Sequence, residues 1–294
     1  MRLAFFGLPI AAVLLARDGH EIAYAAACRP APGWRRLRTR VAPGKTELTP
    51  DVNADGTFER ARDARPDLVV SWFWTTKLPA RILGLAPSVG VHPSLLPRHR
   101  GADPFFWTID AGDDVAGVTA HALDVEYDTG PILAQRELRV GAGWNAWRLA
   151  RALDRPSLSL LRDVVRAYAD GRPPAPVAQD ESLATRAPEP SDEDLAIRWA
   201  WTAERIERRV RAAAPWPGAW TEIGETIVVL TRVRRTGDFP RALAPGEAAV
   251  RDDGVAVVRA RDGAVELLEG TDEEGRAALS RRDLADLVVA SRTA

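Results

Sequence analysis

Along the first part of the chain apolar residues fall into short unbroken runs separated by stretches with helical spacing, while toward the end they fall into brief alternating runs separated by turns. Unbroken short runs read as strands buried on both faces, and alternating runs as strands with one wet face. Residues 3–6, 21–27, 67–74, 88–92, 115–123 and 132–140 are predicted strands on this basis. Between them, 9–17 and 102–111 are predicted helices, the first opening with a proline where the missing N–H costs nothing. Residues 146–169 are predicted as one long helix, with Leu149, Leu153, Leu160, Leu161, Val164 and Val165 on its apolar stripe. This succession predicts an α/β domain over residues 1–170, an open, mostly parallel Rossmann-like sheet flanked by helices.

The pattern then changes. Pro173, Pro174, Pro176, Pro188 and Pro190 make residues 171–200 a linker by composition, extended and semi-rigid. Thr202 then stands as the N-cap of an amphipathic helix. Short strands at 220–223, 226–233, 248–251, 255–259 and 264–268, parted by turns such as Asp252-Asp253-Gly254 and Asp262-Gly263, predict a small OB-like β-barrel domain over residues 201–294. Ser280 is placed to cap a final helix.

Composition narrows the functional classes. With 40 basic and 41 acidic side chains among 294 residues, no global field points to a nucleic acid or a membrane, so charge matters only locally. The one local excess is the loop 29–45, which holds Arg29, Arg35, Arg36, Arg38, Arg40 and Lys45 and no acid. It reads equally as a solvated surface loop and as a phosphate-contacting patch. The single cysteine, Cys28, excludes an intrachain disulfide and reads as a core thiol in a reducing compartment. The N-terminus becomes charged too soon for a signal peptide, and no apolar run reaches membrane-spanning length; a cytoplasmic location is expected.

Candidate chemistry concentrates in two stretches. His92 ends a predicted strand and is followed by Pro93-Ser94-Leu95-Leu96-Pro97, whose prolines stop both strand and helix. A histidine at the carboxyl edge of an open α/β sheet faces the crevice where ligands bind. The second stretch, Asp124 to Gly130, is an acidic turn that places Asp128 before Thr129-Gly130. Histidine exchanges protons near neutral pH, and a carboxylate beside it orients the ring and favours its charged form. His121 alternates with the apolar positions of its strand and reads as a satisfied strand histidine, with a second catalytic group as the alternative. His20 and His99 read as turn and loop residues. This spacing of histidines argues against a metal site, and Gly7 alone is a weak nucleotide signal.

His92 followed by Ser94-Leu95-Leu96-Pro97, and later Asp128-Thr129-Gly130, resemble the folate-dependent formyltransferase family. Pro215-Trp216-Pro217-Gly218-Ala219-Trp220-Thr221-Glu222 is similar to the C-terminal domain of its tRNA-acting members and of the formyltetrahydrofolate dehydrogenase hydrolase domain, so the resemblance spans most of the chain. It implies 10-formyltetrahydrofolate as formyl donor, His92 as acid–base group and Asp128 as its partner. It places Phe73, Trp74, Thr75, Thr76 and Leu78 along the pterin wall, and Ser94, Leu95, Leu96, Pro97, Asp124 and Tyr127 around the folate. The sequence departs from the family where Gly90 replaces an asparagine whose amide helps hold the formyl oxygen. Loss of one such donor typically costs roughly 2.7 to 4 kcal/mol. The expected activity is formyl transfer to an amine, with a specialised small-molecule acceptor. The alternatives are a tRNA acceptor held through Arg35, Arg36, Arg38 and Arg40, hydrolysis of the formyl-folate, and a catalytically impaired folate-binding protein.

Overall fold

The computed structural model describes residues 1–291; the last three positions of the predicted C-terminal domain lie outside the described residues. The chain forms two compact units. The first gathers Met1–Pro104, Val115–Leu138 and Ala152–Pro188, and the second Phe105–Asp114, Arg139–Arg151 and the chain from Glu189 onward.

The first unit is built on strands β1 (Arg2–Gly7), β2 (Glu21–Ala27), β3 (Thr46–Leu48), β4 (Leu68–Trp72), β5 (Ser88–His92), β6 (Val115–His121) and β7 (Ile132–Arg139), in the order β3-β2-β1-β4-β5-β6-β7. Pairings from β3 to β5 are parallel, and β6 runs antiparallel to β5. All five residues of β5 are buried, as an unbroken apolar run between two neighbours requires. Helices α1 (Pro9–Arg17), α2 (Trp34–Arg38), α3 (Asp55–Asp63) and α4 (Ala80–Leu83) complete the connections between these strands. Helices α5 (Pro104–Ala111) and α6 (Ala146–Ala169) each cross the division between the units. The stripe predicted for α6 is fully buried at Leu149, Leu153, Leu160, Leu161, Val164 and Val165, and each such side chain stabilises by about 1.5 to 3 kcal/mol relative to exposure.

The segment after α6 does not hang between elements. Val177 exchanges both backbone hydrogen bonds with Ile132. Further on, the Arg100 N–H donates to the Thr185 carbonyl and the Ala187 N–H to the Arg100 carbonyl. This strap lies on the loop that follows β5.

The second unit contains α7 (Asp192–Leu195), α8 (Ala203–Ala213), β8 (Ala219–Ile223), β9 (Thr226–Thr236), β10 (Ala248–Val250), β11 (Ala256–Arg259), β12 (Ala264–Asp272), β13 (Ala278–Leu279) and α9 (Arg281–Ser291). Its antiparallel sheet, ordered β10-β11-β12-β9-β8 with β13 on β12, curls into a half-barrel. Thr202 caps α8 by accepting from the Arg205 N–H, and Ser280 and Asp283 cap α9 reciprocally. Elements without a sequence signal are short or polar: α2 sits inside the predicted basic loop and α3 buries only Thr57 and Ala61. Among the described residues no helix is long and apolar enough to cross a membrane.

Candidate active site

The site begins with the register of two strands. In the antiparallel pair β5–β6, Gly90 lies opposite His121 and His92 opposite Thr119. His92 is the last residue of β5, and the chain turns sharply after it. Ser94 Oγ donates to the Arg98 carbonyl, and Thr119 Oγ1 both accepts from the Leu96 N–H and donates to the Ser94 carbonyl. The proline-braced loop is thus tied to β6 through one buried threonine.

Asp128 is the hub. Its Oδ2 lies 3.4 Å from Nδ1 of His92 and accepts the Gly101 N–H at 3.0 Å, and its Oδ1 lies 3.6 Å from Nε2 of His121. Both imidazoles are buried, His92 at 6% exposure and His121 at 3%. Their outer nitrogens are anchored at 2.8 Å, Nε2 of His92 on the His99 carbonyl and Nδ1 of His121 on the Ala122 carbonyl. Burial pushes the His121 pKa below its ordinary value, against the opposing pull of the Asp128 charge. Asp128 (φ 58°), His99 (φ 60°) and Phe73 (φ 52°) adopt left-handed backbone, a conformation that costs about 1 to 3 kcal/mol outside glycine and concentrates at functional sites. The Asp128 turn is held from behind by Gln179. Its amide donates to the carbonyls of Asp128 and Gly130, while its oxygen accepts twice from Arg100.

The structure thus brings His92 and Asp128 together. The other candidate positions divide. Leu78 and Leu96 are buried and Leu78 belongs to the core, while Leu95 packs over Gly117. Phe73 accepts the Cys28 thiol on its carbonyl, and Trp74 packs edge-on against Phe6. The Trp74 indole N–H is buried with no hydrogen-bond partner. Thr75, Thr76, Asp124 and Tyr127 are exposed, and Lys77 sits over the Tyr127 ring while pairing with Glu126. Arg35, Arg36, Arg38 and Arg40 are exposed on and after α2, and Arg35 and Arg36 line a groove of about 540 Å³.

At Gly90 the structure differs from a simple vacancy. A β-carbon there would lie 2.5 Å from Cδ2 of Leu123 and 3.5 Å from Nε2 of His121. The space beside the glycine is already held by these two side chains. His121, read from sequence as a strand histidine with a second catalytic group as the alternative, converges on Asp128. Gln179 and Arg100 carried no sequence signal. Among the described residues no cluster of His, Cys, Asp or Glu could hold a metal ion.

Residues 41–165 match the family model described as formyl transferase, and residues 190–285 that of the formyl transferase C-terminal domain. A methionyl-tRNA formyltransferase from Anaeromyxobacter dehalogenans is 36% identical over 302 residues, covering 97% of this chain and 96% of its own. The chain belongs to the formyl transferase family. Solved structures that share its fold include two with bound folates. HypX from Aquifex aeolicus in complex with tetrahydrofolic acid has a TM-score of 0.66 at 21% identity, over 98% of this formyl transferase and 47% of HypX. The N-formyltransferase from Helicobacter canadensis, in complex with folinic acid and dTDP-3-aminofucose, has a TM-score of 0.68 at 14% identity, over 90% of this chain and 98% of its own. The sequence resemblance drawn from His92 and Asp128 thus holds along nearly the whole length.

Proposed function

We propose that this protein is a cytoplasmic, folate-dependent enzyme that transfers a formyl group from 10-formyltetrahydrofolate to the amine of a specialised small molecule. The observation that carries this reading is the convergence of His92 and the Gly101 N–H on Asp128 at the carboxyl end of β5. Formyl transfer exchanges a C–N bond to folate N10 for a C–N bond to the amine and moves one proton from the amine to N10. With Nε2 of His92 anchored on a carbonyl, Nδ1 is the nitrogen left to take and return that proton. Asp128 favours the charged ring while it does so. Phe73, Trp74 and Leu95 to Pro97 are the residues that would hold the folate, with the unpartnered Trp74 N–H as a donor to it.

A second acceptor, tRNA, is favoured by two observations. Several relatives with near-complete coverage are methionyl-tRNA formyltransferases, and Arg35, Arg36, Arg38 and Arg40 have no acidic partner among the described residues. One assay separates the readings: release of tetrahydrofolate, followed by absorbance, without acceptor, with a panel of amines, and with methionyl-tRNA. His92→Ala is expected to slow release by roughly 10² to 10⁴-fold. Release only with one amine class supports the small acceptor. Release only with methionyl-tRNA, weakening steeply with salt, replaces it by tRNA. Release without acceptor makes the protein a hydrolase, and folate binding with no release in any arm overturns the enzymatic reading.

A further inference from the structure

His121 is the titratable group that the proposed chemistry does not use, and the hydrogen-bond accounting around it is incomplete. A carbonyl oxygen only accepts, so Nδ1 of His121, 2.8 Å from the Ala122 carbonyl, carries a hydrogen, and Nε2 of His92 carries one toward the His99 carbonyl. In their neutral forms the two rings thus turn bare lone pairs, Nε2 of His121 and Nδ1 of His92, toward the two oxygens of Asp128. Two lone pairs facing a carboxylate leave the arrangement one proton short. One added proton completes either side. A second would set two cations against a single carboxylate, with the Arg100 charge also bearing on His121. Asp128, His92 and Arg100 are the charged and titratable groups that act on His121 from the acidic turn, from β5 and from the loop after it.

Gly90 belongs to the same arrangement. A β-carbon at this position would meet the tip of Leu123 at 2.5 Å and touch Nε2 of His121 in ordinary contact at 3.5 Å, so the glycine abuts the second imidazole.

We propose that His92, Asp128 and His121 share a single proton, and that His121 is a positioning residue which sets, through Asp128, when His92 is free to accept a proton. The inference rests on the reading of His92 as the acid–base group, and its test does not need turnover. Ring nitrogens of the full-length protein, labelled at histidine, are followed by NMR across pH in wild type, Asp128→Asn and His121→Gln, beside the pH dependence of kcat/KM for folate release. In wild type the two rings are expected to titrate as a linked pair, each resonance moving in both steps, with the steps separated by more than about one pH unit. Asp128→Asn should reduce this linkage. His121→Gln removes the competing site for the shared proton together with the like charge that a second proton would bring. The His92 ring should then titrate in a single step, and its midpoint and the acid limb of kcat/KM should rise together by about one pH unit, a shift that a purely structural role for His121 would not produce. Independent single-step curves in wild type, or an unmoved His92 curve in His121→Gln, overturn the proposal. If the glutamine variant does not fold, the wild-type curves decide. Linked curves with no folate release support the shared proton and overturn the formyl-transfer reading instead.

Discussion

A β-carbon at Gly130 would run into the carbonyl of Ala122, whereas one at Gly90 meets the far end of the Leu123 side chain. Backbone cannot withdraw and a leucine tip can. Gly130→Ala is therefore expected to destabilise by about 3 kcal/mol and Gly90→Ala by about 1 kcal/mol, within the usual span for overpacking. Denaturant midpoints of the two variants check this, and equal losses would sink the distinction. At this scale the sequence was legible where chemistry and backbone signals coincide. His92 closes an apolar run before two prolines, and Asp128 sits in a turn before glycine, so both stand out without a structure. His121 did not, because alternation in a strand looks the same whether the ring faces a core or a carboxylate. Gln179 did not either, since its partners lie 51 and 49 residues away along the chain.

Within the second unit, α5 is tied to α8 through one buried aspartate. Asp110 accepts from Arg205 and Arg209 of α8, at 2.7 Å from Nη2 of Arg205 and 2.8 Å from Nε of Arg209, and both guanidiniums also lie over the Trp201 ring. Burial pushes the Asp110 carboxyl up, but the hydrogen bonds and charges of the two arginines outweigh it and hold the group below its ordinary value. Asp110→Asn leaves the buried Arg209 uncompensated and is expected to cost about 3 to 5 kcal/mol. Urea unfolding of the variant tests this; a loss below about 1 kcal/mol would show that the pair is dispensable. The amphipathic spacing of α8 and its threonine cap were legible. The docking of its arginines was not, because the sequence presents them simply as the polar face of a helix. Element length set the same limit elsewhere: α2, α3 and β3 offer too few apolar positions for a period to appear.

Over the whole molecule, pH should act in two stages. Burial holds the pKa of His121 and of His20 below their ordinary value. The unfolded chain therefore binds protons near pH 6.5 that the folded chain refuses, and stability falls as pH drops below that point. Asp18 and Asp110 are held low instead, Asp18 chiefly by its hydrogen bond from Arg162. Their contribution is fully present above about pH 3.9 and is lost as pH falls through their folded values. Unfolding midpoints measured from pH 7.5 to 3 should decline gently at first, by at most about 1.4 kcal/mol per pH unit for His121, and then more steeply. A flat midpoint between pH 7.5 and 5.5 would contradict the first stage. The strap from Val177 to Ala187 has a consequence of a different kind, set by the order in which the chain is made. A nascent polypeptide that has grown only to Ala169 already carries His92, His121 and Asp128. It does not yet carry Gln179, whose amide fixes the Asp128 turn, or Thr185, whose side chain accepts the His99 N–H. Domains fold as they emerge, yet this cluster is completed only after translation has passed its strap, so a stalled or truncated chain holds the two histidines and the aspartate without the clasp that aligns them.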